Sequence, residues 1–280
     1  MGWVTKRSDH IMRKQVLFSV VLTLLLSLVV VNANTINAAE LSVDEIIAKA
    51  YTAAYYGGDD GRSVVDMTIV DSQGRKRKRK LVMLRKDIKD NGQQKYYAYF
   101  QAPSDVREMV YVVHKNPGDN DNRWLYLPSM DLVRRIAASD KRSSFVGSHF
   151  TYEDISGRGL KQDNHELIKE TDEHYVVRHT PKDKDKVEFA YYKMWIDKEN
   201  FIPVESKYYD QQGEAYRAIT AEEVKKIEGY PTITVMKAKN LETGGYTINR
   251  FSQNEYDLGI PDRIFTERYL RRPARRWLRR

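Results

Sequence analysis

Five histidines follow the apolar leader of this 280-residue chain: His114, His149, His165, His174 and His179. Two imidazoles one turn apart on a helix would hold a metal ion. No pair here has the His-x-x-x-His spacing, and His174 and His179, five apart, fall on opposite faces of a strand. Ser148, His149, Glu153 and Asp154 crowd one short segment and have the residue types of a nucleophile or general acid–base cluster. The same segment has a plainer reading. Thr151 and Asp154 have the spacing of a helix cap, so these carboxylates are expected to cap a helix and carry surface charge. Neither a Gly-x-Ser-x-Gly elbow nor a phosphate-binding glycine loop occurs. The chain has no cysteine, which excludes disulfides, thiolate nucleophiles, Cys-held metals and an acylated N-terminal cysteine. The residues therefore imply no enzyme, no metal and no cofactor.

Two cationic features remain. Arg75-Lys76-Arg77-Lys78-Arg79-Lys80 puts charge on both faces of a strand. It reads as a solvated edge that resists sheet pairing, or as a contact for anionic headgroups or an acidic partner. The last thirteen residues hold seven arginines among Tyr269, Leu270, Pro273, Ala274, Trp277 and Leu278. A mobile, solvated end is one reading. The sharper one is docking on an anionic membrane surface or an acidic transporter face through Arg271, Arg272, Arg275, Arg276, Trp277, Arg279 and Arg280. Arginine grips phosphate bidentately, and tryptophan prefers the boundary between apolar and polar phases. Of the net +8, +3 sits in residues 1–39 and +7 in residues 268–280, which leaves −2 for the body between. A nucleic-acid-binding surface is not expected from such a body.

The elements that must position these residues are mostly strands. Ser42 and Glu45 form a capping box ahead of Ile46, Ile47, Ala50, Ala53 and Ala54, and Gly57-Gly58 supplies a stop, which predicts a helix over 43–56. A second short helix is predicted over 152–156. Strand patterns separated by turn signals run over 64–71, 80–85, 95–101, 107–115, 123–127, 132–136, 165–170, 174–180, 187–197, 203–209, 214–227, 231–240 and 246–257. They predict one large antiparallel sheet, curled or nearly closed. Alternation puts Val65, Met67 and Ile69 on one face, Met109, Tyr111 and Val113 on another, and Trp124 and Tyr126 on a third. Nineteen Tyr, eight Phe and four Trp need apolar surface to lie against. Either a sandwich core or a concave sheet left open around a ligand supplies it.

Arg13-Lys14, the apolar run 16–31 and the small residues of 32–39 have the pattern of a cleaved export signal. The run is short for a membrane span, although an uncleaved anchor is the alternative. Met12, directly before the basic pair, is an alternative start to Met1. With no linker or repeat, the expected organisation is a signal at 1–39, one domain at 40–270 and an Arg-rich tail at 271–280.

One ordered set of short motifs is distinctive. Phe100-Gln101-Ala102-Pro103-Ser104-Asp105-Val106-Arg107 precedes Trp124-Leu125-Tyr126-Leu127-Pro128 and Val133-Arg134-Arg135-Ile136. Ser144-Phe145-Val146-Gly147-Ser148 and Phe150-Thr151-Tyr152-Glu153-Asp154 follow, and Ile260-Pro261-Asp262-Arg263-Ile264-Phe265-Thr266 closes the series. This order resembles the outer-membrane lipoprotein-sorting group of LolA-like proteins. The resemblance implies a half-open antiparallel β-barrel of about eleven strands, with short helices plugging its mouth. It also implies a periplasmic location, lipid or lipoprotein acyl chains in an apolar cavity, and association with inner-membrane resistance-nodulation-division (RND) transporters. The expected role is a carrier between inner and outer membrane; an adaptor of such a transporter and, less favoured, a hydrolase are the alternatives. Aromatic and flexible apolar character at alternating strand positions nominates Met67, Ile69, Met83, Tyr99, Met109, Tyr111, Trp124, Tyr126, Phe145, Trp195, Met236 and Phe251 as cavity lining.

Overall fold

The computed structural model describes residues 41–88 and 92–279. The expected export signal and Arg280 lie outside the described residues. From Ser42 onward the chain forms one compact unit.

Helix α1 (Val43–Tyr55) begins at the expected capping box: Glu45 N donates to Ser42 Oγ, and Ser42 N donates to Glu45 Oε2. Ile46, Ile47 and Ala50 form its buried face. Thirteen strands follow in one antiparallel sheet. The first six are β1 (Asp60–Val70), β2 (Lys76–Asp87), β3 (Gln94–Ala102), β4 (Val110–Lys115), β5 (Asn122–Leu127) and β6 (Leu132–Ile136). The others are β7 (Asp163–Glu170), β8 (His174–Pro181), β9 (Tyr191–Asp197), β10 (Pro203–Tyr209), β11 (Ala215–Ile227), β12 (Tyr230–Asn240) and β13 (Tyr246–Tyr256). Their spatial order is β6-β5-β4-β3-β2-β1-β13-β12-β11-β10-β9-β8-β7. The first and last strands of the chain pair at the centre. The two edges, β6 and β7, are neighbours in sequence but do not pair, so the barrel is half-open. The segment between them carries helix α2 (Tyr152–Ser156) and short 3-10 turns.

Thirteen strands replace the eleven that the resemblance implies, and each corresponds to one of the thirteen strand segments in the sequence pattern. One boundary differs at 107–109. There Glu108 turns through a positive φ of 66° and donates its N–H to Phe100 O, so β4 starts only at Val110. The basic run belongs to β2. Residues 76–79 pair with β1 alone, and pairing with β3 begins at Lys80. Lys76, Lys78 and Lys80 are exposed on this half-open stretch, as a solvated edge requires. Arg79 is the exception. It is buried and donates to Val146 O in the plug segment.

Alternate residues of β1–β5 build two cores on opposite faces of the sheet. Val65, Met67, Ile69, Leu81, Phe100 and Tyr111 pack on the inner face with Phe145, Phe150 and Tyr152 of the plug. Val64, Val82, Leu84, Tyr97, Val110 and Val112 pack on the outer face against Ile260, Ile264, Phe265, Leu270 and Leu278. This corrects the picture of a free C-terminal tail. Helices α3 (Arg268–Arg271) and α4 (Arg275–Leu278) form a strap across the convex face. Tyr97 Oη donates to Tyr269 O at 2.8 Å, Gln101 Nε2 to Leu278 O at 2.9 Å, and Arg62 Nε to Trp277 O at 3.1 Å. The domain therefore continues through residue 279. The seven arginines concealed a spaced apolar pair, Leu270 and Leu278, whose burial fixes the segment.

Candidate functional site

The concave face is not packed solid. A cavity of about 310 Å³ lies between α1, the plug and the inner wall of the sheet. That volume is at the lower end for ligand pockets, which run roughly 300–1,000 Å³. Ile47, Ala50 and Ala54 of α1 form part of its lining, as do Ile155 of the plug and Met83, Met194, Ile219, Ile233, Met236 and Phe251 of the sheet. Small residues on α1 leave room where larger ones would fill it. Three methionines give the wall a surface that adapts to irregular chains.

Charged groups at the cavity's edge are tied to one another. Arg85 is held by Asp87 and by the carbonyl oxygens of Gly57 and Gly58, just past the end of α1. Arg158 makes a bidentate contact with Asp163, at 2.9 and 2.8 Å, and approaches Glu153 at 3.5 Å. Glu153 also pairs with Lys141 at 2.7 Å. Burial pushes the Glu153 carboxyl up, but Lys141 and Arg158 outweigh it and hold the group below its ordinary pKa. Asp154 caps α2 by accepting from Thr151 N at 2.6 Å, and it pairs with the largely buried Arg217 of β11. Lys115 Nζ donates to the carbonyl oxygens of Ser156 and Gly157, both at 2.6 Å, which closes the C-terminal end of α2. Burial first, with Arg123 and Lys141 adding to it, lowers this amine to about 8 against the pull of Asp121 and Glu153. At Gly157, where φ is 74°, an added Cβ would meet the Tyr55 ring at 2.6 Å, so glycine is what lets α1 and α2 touch.

His149 lies beside the Arg217–Asp154 pair, and Arg217 also donates to its backbone carbonyl at 3.4 Å. Its backbone N–H donates to Thr247 Oγ1, and its Nδ1 lies 2.9 Å from the same oxygen. Burial, with Arg217 and Arg77 adding to it, lowers its pKa. A Cβ on Gly245 would meet its ring nitrogen at 2.6 Å. Ser148 Oγ accepts from Phe150 N at 3.2 Å, so Ser148, His149, Glu153 and Asp154 are each engaged by a structural partner. No group of three or more metal-ligating side chains occurs among the described residues.

Eleven of the twelve nominated lining residues separate into three sets. Met83, Met236 and Phe251 line the cavity. Met67, Ile69, Met109, Tyr111 and Phe145 face the same side but lie in the closed inner core beside it. Tyr99, Trp124 and Tyr126 face outward and are covered by the C-terminal strap, which corrects their assignment. Trp195 is corrected too: its neighbour Met194 lines the cavity, while its own ring lies beneath Lys207 Nζ at 5.5 Å. Of the nominated docking residues, Arg272, Arg275, Arg276 and Arg279 are exposed. Arg271 is engaged by Asp131, and Trp277 is half-buried in the outer core. The α1 residues of the lining escaped the sequence reading, although their helical spacing was visible. So did the His165–His179 pair, whose Nδ1 atoms are 2.9 Å apart across the β7–β8 hairpin.

A family model described only as an uncharacterized protein matches residues 92–272. No curated protein matches the chain. A DUF1329 family protein from Desulfovibrio piger has the same architecture, with 25% identity and a TM-score of 0.74 over 81% of this chain and 97% of that one. A putative outer membrane lipoprotein-sorting protein domain from Vibrio parahaemolyticus gives the same values: 25% identity, TM-score 0.74, 81% and 97% coverage. A LolA superfamily protein from Nitrosomonas europaea, at 19% identity and a TM-score of 0.63 over 82% of this chain and 100% of that one, shares the fold. The chain belongs to the family of the matching model and is LolA-like.

Proposed function

We propose that this LolA-like chain is a non-enzymatic periplasmic carrier that shields the apolar part of a lipid, lipoprotein or other hydrophobic molecule between inner and outer membrane. The observation that carries the reading is the apolar-walled cavity of about 310 Å³ between α1, the plug and the sheet. Each exposed methylene of an acyl chain costs about 0.8 kcal/mol in water. A shuttle must offset that cost with apolar surface and few directional bonds, so that release stays possible. The cavity wall has this composition, and the ion pairs around it are already satisfied. The lipoprotein-sorting description of the Vibrio relative adds support for the cargo class and for the periplasm. Exposed Arg272, Arg275, Arg276 and Arg279 on the strap, with Lys76, Lys78 and Lys80, give the exterior a cationic side suited to an anionic membrane surface.

Native mass spectrometry of gently purified protein tests the reading. A co-purifying lipid-sized adduct that is lost on delipidation and regained on incubation with lipid is the expected result. A clean protein that takes up no lipid yet captures an RND-type inner-membrane transporter would replace the carrier with an adaptor.

A further inference from the structure

His165 and His179 face each other in the β7–β8 hairpin, and the hydrogen-bond network fixes their tautomers. His165 Nε2 lies 2.9 Å from the carbonyl oxygen of Leu160, which can only accept, so Nε2 carries the proton of the neutral ring. His165 Nδ1 is then a bare lone pair. The Nδ1–Nδ1 contact of 2.9 Å requires His179 Nδ1 to be the donor. In neutral His179 this leaves Nε2 bare. Burial, His165 and Arg158 push His179 down to about 3, so the ring is neutral at physiological pH. The ring stacks on Tyr192 with centroids 4.3 Å apart and planes at 4°, which sets its direction. His179 is 1% exposed, its Nε2 has no protein partner, and the residue lines the cavity. Asn249 Oδ1 of β13 is a second enclosed acceptor in the lining without a partner.

Among the described residues that line the cavity, no cation is uncommitted. Arg85 is held by Asp87 and two carbonyls, Arg158 by Asp163 and Glu153, and Arg62 by Glu255 and Trp277 O. A carboxylate or phosphate drawn inside would find lone pairs at His179 and Asn249 and no free counter-charge. A neutral head carrying an O–H donor would satisfy what is open.

We propose that the cavity takes a neutral, hydroxyl-bearing amphiphile, whose O–H donates to His179 Nε2 while its chain lies along the apolar wall. The inference rests on the carrier reading and narrows its cargo. It is tested by displacement of the neutral dye N-phenyl-1-naphthylamine with three chain-matched probes: 1-tetradecanol, its methyl ether, and myristate at pH 8. In the wild-type protein the alcohol is expected to compete about tenfold better than the ether, as one hydrogen bond to an otherwise unsatisfied acceptor implies. It is expected to surpass myristate as well. His179→Phe keeps the stack on Tyr192 and removes the acceptor, so the alcohol should fall to the ether's level while the ether is unchanged. A second readout needs no variant: the ¹⁵N shift of the unprotonated His179 nitrogen should move when the alcohol binds and stay in place with the ether. Equal competition by alcohol and ether, preference for myristate, or an unmoved ¹⁵N signal with alcohol bound would overturn the hydroxyl assignment and leave the carrier reading intact. Failure of the dye to bind, or of every probe to displace it, would overturn both.

Discussion

Replacing Asp154 by alanine removes two supports at once. The carboxylate caps α2 by accepting from Thr151 N at 2.6 Å, and it neutralises Arg217, which reaches it from β11. Loss of a helix cap costs about 1 kcal/mol. Stranding the guanidinium is worse, because both side chains are largely buried, at 15% and 12% exposure. Removing one member of such a pair costs roughly 3–5 kcal/mol. Asp154→Ala is therefore expected to lose about 4–6 kcal/mol, a large share of the 5–15 kcal/mol that stabilises a typical domain. Arg217→Met leaves Asp154 with its capping role and should cost less. In the double variant no charge is stranded, so it should be more stable than Asp154→Ala alone. Urea unfolding of the purified protein, followed by tryptophan fluorescence, gives all three values, and an unchanged m-value would show that the same surface is exposed. The expected coupling is at least about 2 kcal/mol. If Asp154→Ala unfolds within 1 kcal/mol of wild type, or if the single losses simply add, the pair is not what holds the plug to the wall. A hydrolytic activity lost in Asp154→Ala at unchanged stability would instead return the segment to catalysis.

Four further outcomes are expected. His179 has a folded pKa of about 3 and an ordinary value near 6.5. The unfolded chain therefore binds a proton as pH falls through 6.5 and the folded chain does not, so stability drops below pH 6.5 by roughly 4–5 kcal/mol by pH 3. His149, also lowered, adds in the same direction. His179→Phe should flatten this slope in urea midpoints measured from pH 7.5 to 4, and an unaltered slope would contradict a neutral buried ring. Neutralising Arg272, Arg275, Arg276 and Arg279 to glutamine should reduce sedimentation with anionic vesicles by about 1 kcal/mol per residue at low salt and leave the unfolding midpoint in place. Leu270→Ala, at a fully buried site under the strap, should cost about 2–5 kcal/mol. Ala54→Phe on the cavity wall should abolish the lipid adduct without lowering the melting temperature, and a retained adduct would place the cargo elsewhere.

What was legible in the sequence was local. Both capping boxes, Ser42/Glu45 and Thr151/Asp154, depend on residues three apart and occur as read. The strands were legible because turn residues separate them. Period-2 alternation grouped Met109 with Tyr111 and Val113, and Trp124 with Tyr126, in agreement with the two cores. It says which side chains share a face and nothing about which face is concave. The alternation misplaces Trp124 and Tyr126 for that reason, and because the strap that partly covers them comes some 140 residues later. The His165–His179 contact was hidden by the same kind of distance. The two are fourteen residues apart, and their meeting depends on the register that the Thr171–His174 turn sets between β7 and β8.

A cavity bounded by Ile, Met, Phe and Ala should tend to close, since apolar walls gain contact by approaching. What resists closure here is the polar frame. Arg85 fixes the chain just after α1 to β2 through Gly57 and Gly58. Lys115 fixes the far end of α2 to β4. Arg217 ties the start of α2 to β11, and Arg158 joins the segment after α2 to Asp163 at the start of β7. Each tie joins the mouth to a different strand, and each consists of charge-assisted bonds whose geometry is narrow. Collapse of the wall would have to stretch several of them inside a poorly solvated interior, where an unpaired charge is costly. Asp154, one of the residues that resemble a catalytic cluster in sequence, and the cations that tie the mouth to the strands therefore act as spacers. They hold apolar surfaces apart at a distance a chain-shaped molecule can fill, and loosening one should shrink the cavity before it unfolds the barrel.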